Sequence, residues 1–330
     1  MEYRFLSDTG IKISRLCFGT MSFGGDADEK TSAAMFRFCR EKGINFFDCA
    51  DVYQKGEAER ILSSLIKEER DELVICSKVY FPTGDDVNAR GNSRKHIMQA
   101  VEGSLRRLST DYIDIYFLHR FDEYTALEET LRALDDCVRQ GKILYSGASN
   151  FAAWQIAKAL GISSKEGWNP FKCVQPMYNL VKRQAEVEIF PMAASENLAV
   201  IPYSPLGAGL LAGKYVEGKK PKAGRLLKNE AYKIRYGLHW MRETSGKFTR
   251  FAEENNFDPV SLAVAWAGSH PAVTAPIIGA RNVSQLKSSV FSLEIPMTSD
   301  LRGAVTSLSP DPPPATDRNE EGTSSVFAER

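Results

Sequence analysis

Residues 44–66 read INFFDCADVYQKGEAERILSSLI, and the order of signals within them decides the fold. A nearly unbroken apolar run at 44–50 is followed by a short polar segment and then by Ala58, Ile61, Leu62 and Leu65 at the spacing of one helical face. A strand covered on both sides gives the first signature and an amphipathic helix the second, so the unit is strand then helix, as in a parallel sheet.

The same order recurs along the chain. Strands are expected at 16–20, 44–50, 73–79, 112–119, 143–149, 173–178, 199–203 and 276–279, and amphipathic segments at 30–42, 57–67, 94–108, 126–140, 152–160, 184–196 and 259–269. Gly43 and Gly141 stand where helices stop, and Ser93 and Asp258 where they start, with Pro259 in the first turn. Eight parallel strands close a barrel. An open doubly wound sheet would carry similar strands, but no G-x-G-x-x-G follows the first one here.

The expectation is therefore an α/β chain folded as a (β/α)8 TIM barrel, one domain over 1–308, with an N-terminal β-hairpin (3–5 and 11–14) plugging its bottom. About 70 residues separate the last two strands, and the Gly-, Lys- and Arg-rich part at 207–237, with little periodicity, reads as a long functional loop. The segment 309–330, SPDPPPATDRNEEGTSSVFAER, has the prolines and charges of a mobile or only partly docked tail.

Composition narrows the function. With 42 Lys+Arg against 42 Asp+Glu the chain has no net field to draw in nucleic acid or an anionic membrane. Hydrophobic residues at 43% are enough for a large core, yet no stretch reaches the roughly 18 apolar residues of a membrane span. The opening residues have no basic start leading into an apolar run, so a cytoplasmic location is expected. Cys17, Cys39, Cys49, Cys76, Cys137 and Cys173 are scattered with no C-x-x-C, which reads as buried free thiols rather than disulfides or a metal site.

In a parallel barrel the carboxyl ends of all strands open on one face, so residues just after each strand converge there. FFDCADVY supplies Asp48, Asp51 and Tyr53, ICSKVY supplies Lys78, and YFLHR supplies His119. Ser149 and Asn150, Gln175, and Tyr203, Ser204 and Pro205 follow on later strands. Taken singly, an Asp or Lys at a strand end is an ion pair or a solvated charge, and a lone His or Tyr is packing. Together they would be a costly polar cluster to leave in a barrel mouth without a use.

The series GTMSFGG (19–25), FFDCADVYQKGEAERILSSLI (46–66), SKVY (77–80), GKILYSGASNF (141–151), QPMYNLVKR (175–183), IPYSPLGAGLLAGKY (201–215) and PIIGARNVSQL (276–286) resembles the aldo-keto reductase family over about residues 1–290. The resemblance implies an NADPH-dependent carbonyl reductase acting on a small-molecule aldehyde or ketone, with the tetrad Asp48, Tyr53, Lys78 and His119. It implies Gly19 and Thr20 beside the cofactor, Ser149, Asn150 and Gln175 on the carboxamide, Tyr203 stacked on the nicotinamide, and Ser204, Pro205, Leu206, Gly207, Gly209, Lys214 and Arg225 around the pyrophosphate. Gly279, Arg281 and Gln285 are implied for the adenosine phosphate, with Arg281 and a neutral Gln285 favouring NADPH over NADH. Two departures stand out: Ser288 and Ser289 replace an acidic residue and Asn at the adenine, and Arg120-Phe121 replaces Arg-Pro after His119.

The chemistry of the tetrad can be argued without the family. Hydride addition to a carbonyl builds charge on oxygen, so a proton donor is needed there, and Tyr53 is the candidate. The ammonium of Lys78 would favour its phenolate and lower its pKa, Asp48 would pair with the charge on Lys78, and His119 would orient the carbonyl. Rival readings are a Schiff-base aldolase barrel using Lys78 and a cofactor-binding regulatory chain resembling potassium-channel β subunits.

Overall fold

The computed structural model describes residues 1–215 and 224–316. A two-stranded antiparallel hairpin, β1 (Tyr3–Phe5) and β2 (Lys12–Ser14), precedes eight parallel strands: β3 (Cys17–Gly19), β4 (Phe46–Asp48), β5 (Val74–Val79), β6 (Ile113–Leu118), β7 (Ile143–Ser149), β8 (Phe171–Gln175), β9 (Ala199–Val200) and β10 (Ile277–Ile278). They pair in the order β10-β3-β4-β5-β6-β7-β8-β9. The ring closes between β9 and β10, where Thr274 N–H donates to Val200 O at 2.8 Å and Ile277 N–H to Pro202 O at 2.8 Å. This is the expected (β/α)8 barrel.

Each strand is followed by its covering helix: α1 (Glu29–Glu41), α2 (Glu57–Ile66), α3 (Arg94–Leu108), α4 (Leu127–Arg139), α5 (Ala153–Glu166), α6 (Ile189–Ser195) and, later, α10 (Pro259–Gly268) and α11 (Val283–Phe291). The start signals hold, since Ser93 accepts from His96 N and Asp258 from Ser261 N. Gly43 and Gly141 have φ of 77° and 70°, the left-handed conformation that ends a helix most easily at glycine.

The long segment after β9 departs from expectation. Instead of an unpatterned loop it holds a 3-10 turn at Gly207–Ala212, α7 (Arg225–Lys228), α8 (Glu230–Tyr236) and α9 (His239–Glu254). Helix α9 buries Met241, Thr244, Ser245, Phe248, Thr249 and Ala252, a helical face whose period is hidden because half of it is hydroxyl-bearing. Lys219, Lys220 and Lys222 lie outside the described residues. Helix α12 (Ser299–Thr306) docks by Thr306 Oγ1 accepting from Trp266 Nε1 at 2.9 Å. The following segment does not leave the surface at once: Ser309 is buried, and Arg183 donates to Asp311 Oδ1 at 3.1 Å. Residues 317–330 of the expected mobile tail lie outside the described residues. Among the described residues no helix is long and apolar enough to cross a membrane.

Two cores result from the alternation of strand side chains. Phe18, Phe47, Ile75, Tyr116, Leu118 and Val174 face outward onto the helices. Inside the ring, Cys17, Phe46, Val74, Cys76, Ile115, Phe117, Cys173, Ile201 and Ile277 form one cluster sealed from below by Leu6 and Ile13 of the hairpin segment, which therefore plugs the bottom. All six cysteines are buried free thiols. Gly147 also faces inward: a Cβ there would lie 2.6 Å from Phe117 Cε1 and 2.7 Å from Cys173 Sγ. Gly147→Val is expected to cost about 1–3 kcal/mol through overpacking, read as a lower denaturation midpoint with unchanged slope.

Candidate active site

The inward alternation carries straight into the mouth. Two residues beyond Phe46 comes Asp48, beyond Cys76 comes Lys78, beyond Phe117 comes His119, and beyond Cys173 comes Gln175. The polar ring is thus the last layer of the barrel interior. Tyr53 reaches it differently, from a tight turn in which Gln54, Lys55 and Gly56 have φ of 49°, 56° and 88°.

Lys78 is fully buried and uses all three of its N–H groups. It donates to Asp48 Oδ2 at 2.7 Å, to Cys49 O at 2.6 Å and to Tyr53 Oη at 3.2 Å. Burial, the largest single influence, would lower its proton affinity, but Asp48 and Tyr53 together outweigh that and keep it above its ordinary value. An amine so held is kept protonated, which disfavours attack on a carbonyl as a free amine. The second oxygen of Asp48 accepts from Gln175 Nε2 at 2.9 Å.

The expectation for Tyr53 is corrected in sign. Burial of its hydroxyl pushes it up to about 12, and the opposing pull of Lys78 is smaller. Tyr53 therefore keeps its proton over the whole physiological range. His119 meets Tyr53 and Phe81 edge-on at 6.0 and 4.9 Å between ring centres. Burial first, and then the Lys78 charge, hold it well below its usual value, so its ring is neutral. Its Nδ1 is buried without a partner among the described residues, and the residue lines the cleft.

A second chain of bonds ties the other strand ends together. Tyr203 Oη donates to Asn150 Oδ1 at 2.6 Å, and Asn150 Nδ2 donates to His119 O at 2.9 Å and Ser149 Oγ at 3.1 Å. Ser149 Oγ donates to Gln175 O at 3.0 Å.

These residues border a cleft of about 1130 Å³. Of the residues implied for the cofactor, Gly19, Ser149, Asn150, Gln175, Tyr203, Ser204, Pro205, Leu206, Gly209, Lys214, Arg225, Gly279, Arg281 and Gln285 line it. Thr20 and Gly207 do not. Thr20 is spent on Asp48 O, and Gly207 turns toward Tyr236. The space fits a long ligand with phosphates: Ser204, Ala208 and Gly209 have φ of 59°, 57° and 90°, Lys214 crosses directly over Gly209, and the Cβ position of Gly279 is open. At the far end Arg281 is ion-paired with Asp26 at 3.1 Å, and Asn282 Oδ1 already accepts from Gln285 N. Tyr232 and Arg235 of α8 also line the cleft; sequence reading missed them because it left that helix as loop.

Behind the site, Asp51 is buried and neither of its oxygens has a partner. Burial and then the Glu59 charge push it up to about 8. Its native form holds a proton between about pH 4 and 8 that the unfolded chain has lost, so it makes stability fall as pH rises through that window. His119 works in the opposite sense, but only below its unfolded value of about 6.5. From pH 6.5 to 8 stability is expected to decline in the parent at up to about 1.4 kcal/mol per pH unit, and Asp51→Asn should flatten that slope in denaturant titrations.

The chain belongs to the aldo/keto reductase family, whose model matches residues 15–309. It is an oxidoreductase of a family that uses nicotinamide cofactors. It is 36% identical to the uncharacterized oxidoreductase YrpG of Bacillus subtilis over 94% of this chain and 97% of that one. It is 35% identical to a probable voltage-gated potassium channel subunit beta of Arabidopsis thaliana (89% and 92%) and 32% identical to versiconal hemiacetal acetate reductase of Aspergillus parasiticus (90% and 94%).

Proposed function

We propose that the chain is an NADPH-dependent reductase of aldehydes or ketones in which Tyr53 donates the proton and Asp48, Lys78 and His119 complete the site. The observation that carries this reading is the buried Lys78 ammonium, 2.7 Å from Asp48 and 3.2 Å from the hydroxyl of Tyr53, both of which line a long cleft. When bound, the cofactor supplies hydride to a carbonyl carbon, and charge develops on the carbonyl oxygen. Tyr53 protonates that oxygen, and Lys78 stabilises the phenolate left behind. His119 donates to the same oxygen and sets its direction. Asp48 keeps Lys78 charged and aimed, and the Cys49 carbonyl fixes its third N–H.

Gln175 has given its amide N–H to Asp48, which leaves Oε1 for the carboxamide beside Ser149 and Asn150. Tyr203 offers a ring face to the nicotinamide, the backbone at 204–206 and 208–209 with Lys214 and Arg225 takes the pyrophosphate, and Gly279, Arg281 and Gln285 take the adenosine phosphate. The preference for NADPH rests on Arg281, which would exchange Asp26 for a phosphate. Six buried free thiols suit a reducing compartment and support a cytoplasmic setting.

The test is oxidation of NADPH and of NADH against a panel of aldehydes, ketones and sugars. Turnover of at least one carbonyl class, faster with NADPH, is expected; none across the panel sinks the reading. The likeness to plant channel β subunits favours a second reading, a cofactor-binding regulatory chain, for which a stoichiometric protein complex with negligible turnover would speak.

A further inference from the structure

The cations that line the cleft do not all stand where the cofactor's phosphates would lie. The cleft's described lining holds Arg120, Lys214, Arg225, Arg235 and Arg281 against one lining carboxylate, Asp48, which Lys78 already neutralises, while Arg281 is paired with Asp26. The whole chain is neutral, so the excess is local. Lys214, Arg225 and Arg281 form one group, close enough that Arg281 and Arg225 add to burial in depressing Lys214. That group faces the cofactor's phosphates in the reading above.

Arg120 and Arg235 stand apart from it. Arg120 follows His119 directly and lies 6.0 Å from the Tyr80 ring centre; Tyr80 meets Phe81 edge-on, and Phe81 meets His119. Arg235 is half-buried over Tyr232 at 5.1 Å, and its charge is felt by Tyr203 and by Lys182. Lys182 is also half-buried. Nearby Arg183 and Lys233 are paired with Glu186 and Glu230, but among the described residues no carboxylate pairs with Arg120, Lys182 or Arg235. Arg235 lines the cleft half-buried, near the half-buried Lys182 and with no counter-ion among the described residues, which raises the free energy of the empty mouth, and an anion arriving there lowers it.

We infer that the carbonyl substrate bears an anionic group, carboxylate or phosphate, that Arg235 takes up with Arg120 as second cation while the carbonyl reaches Tyr53 and His119. The inference rests on the reductase reading and names its substrate class. A guanidinium fork binds either anion through paired N–H groups, so charge and not anion type is the selected property.

The experiment compares 4-carboxybenzaldehyde and 4-formylphenyl phosphate with the neutral methyl 4-formylbenzoate. At least one anionic aldehyde is expected to exceed the ester by about tenfold in kcat/KM, chiefly through KM, with the advantage shrinking at high salt. Arg235→Met should bring the ratio close to one while NADPH affinity holds. Parity of ester and anions in the parent overturns the inference, as does loss of NADPH affinity in Arg235→Met, which would assign Arg235 to the cofactor. Calorimetric titration of the three aldehydes into the NADP+-bound protein gives a readout without turnover. Selective uptake of an anion with no turnover would sink the reductase reading and keep the anion site, whereas turnover of all three without selectivity would do the reverse.

Discussion

Tyr53→Phe is expected to reduce turnover by about 10²–10⁴-fold while leaving cofactor affinity unchanged. The substitution removes one hydroxyl and keeps the ring, which still stands edge-on to His119 at 6.0 Å and under Lys78 at 4.7 Å from its centre. Lys78 loses one of three acceptors but retains Asp48 and the Cys49 carbonyl. The loss is therefore that of a proton donor and not of the site's shape. Steady-state NADPH oxidation gives the rate, and quenching of protein fluorescence on NADPH titration gives the affinity. Turnover equal to the parent's would withdraw the acid from Tyr53. With its hydroxyl pushed up to about 12, the free enzyme should show no alkaline loss of activity from Tyr53 until pH approaches that value.

Lys78→Met should be the most destabilising single change at the site. Asp48 is only 3% exposed, and without the ammonium it is left as a buried charge held by Gln175 alone. Breaking such a pair from one side costs about 3–5 kcal/mol, whereas removing both charges costs far less. Asp48→Asn combined with Lys78→Met should therefore regain most of the lost stability in denaturant titration while activity stays abolished. A single variant as stable as the parent would mean that the pair does not hold the barrel mouth.

The barrel and the strand-end positions of Asp48, Lys78 and His119 were legible because one periodicity encodes both, whereas Tyr53 lies off that alternation and the grouping of the four is what the family resemblance implies. Phe46 and Asp48, Cys76 and Lys78, and Phe117 and His119 alternate with the outward residues between them, so the strands and the residues at their ends are read together. Strands β9 and β10 prove shorter than the apolar runs suggest, since Pro202 and Pro276 have no N–H to give and only accept, from Ile277 and Cys17. Helix α9 was illegible because Ser245 and Thr249 fill its inward face by bonding to backbone carbonyls of Leu210 and Ser245. With α8 unseen, Arg235 and Tyr232 were unseen too. The direction of the Tyr53 shift could not be read from neighbours in sequence, because desolvation belongs to the folded mouth and here exceeds the pull of Lys78. Thr20 and Gly207 have suitable sequence positions, but their bonding groups and backbone direction are committed elsewhere.

The cylinder is not equally well stitched around its circumference. Strands β5, β6 and β7 are six or seven residues long, while β9 and β10 have two each and meet through a few backbone bonds near Val200 and Pro202. The cleft runs along that seam, touching Tyr203 and Ser204 on one side and Ile277 and Gly279 on the other. Any molecule lying there acts as a clamp across the thinnest joint. Hydrogen exchange at the Tyr203 and Ile277 amides is thus the place where occupancy and local opening meet, and where the empty and filled forms should differ first.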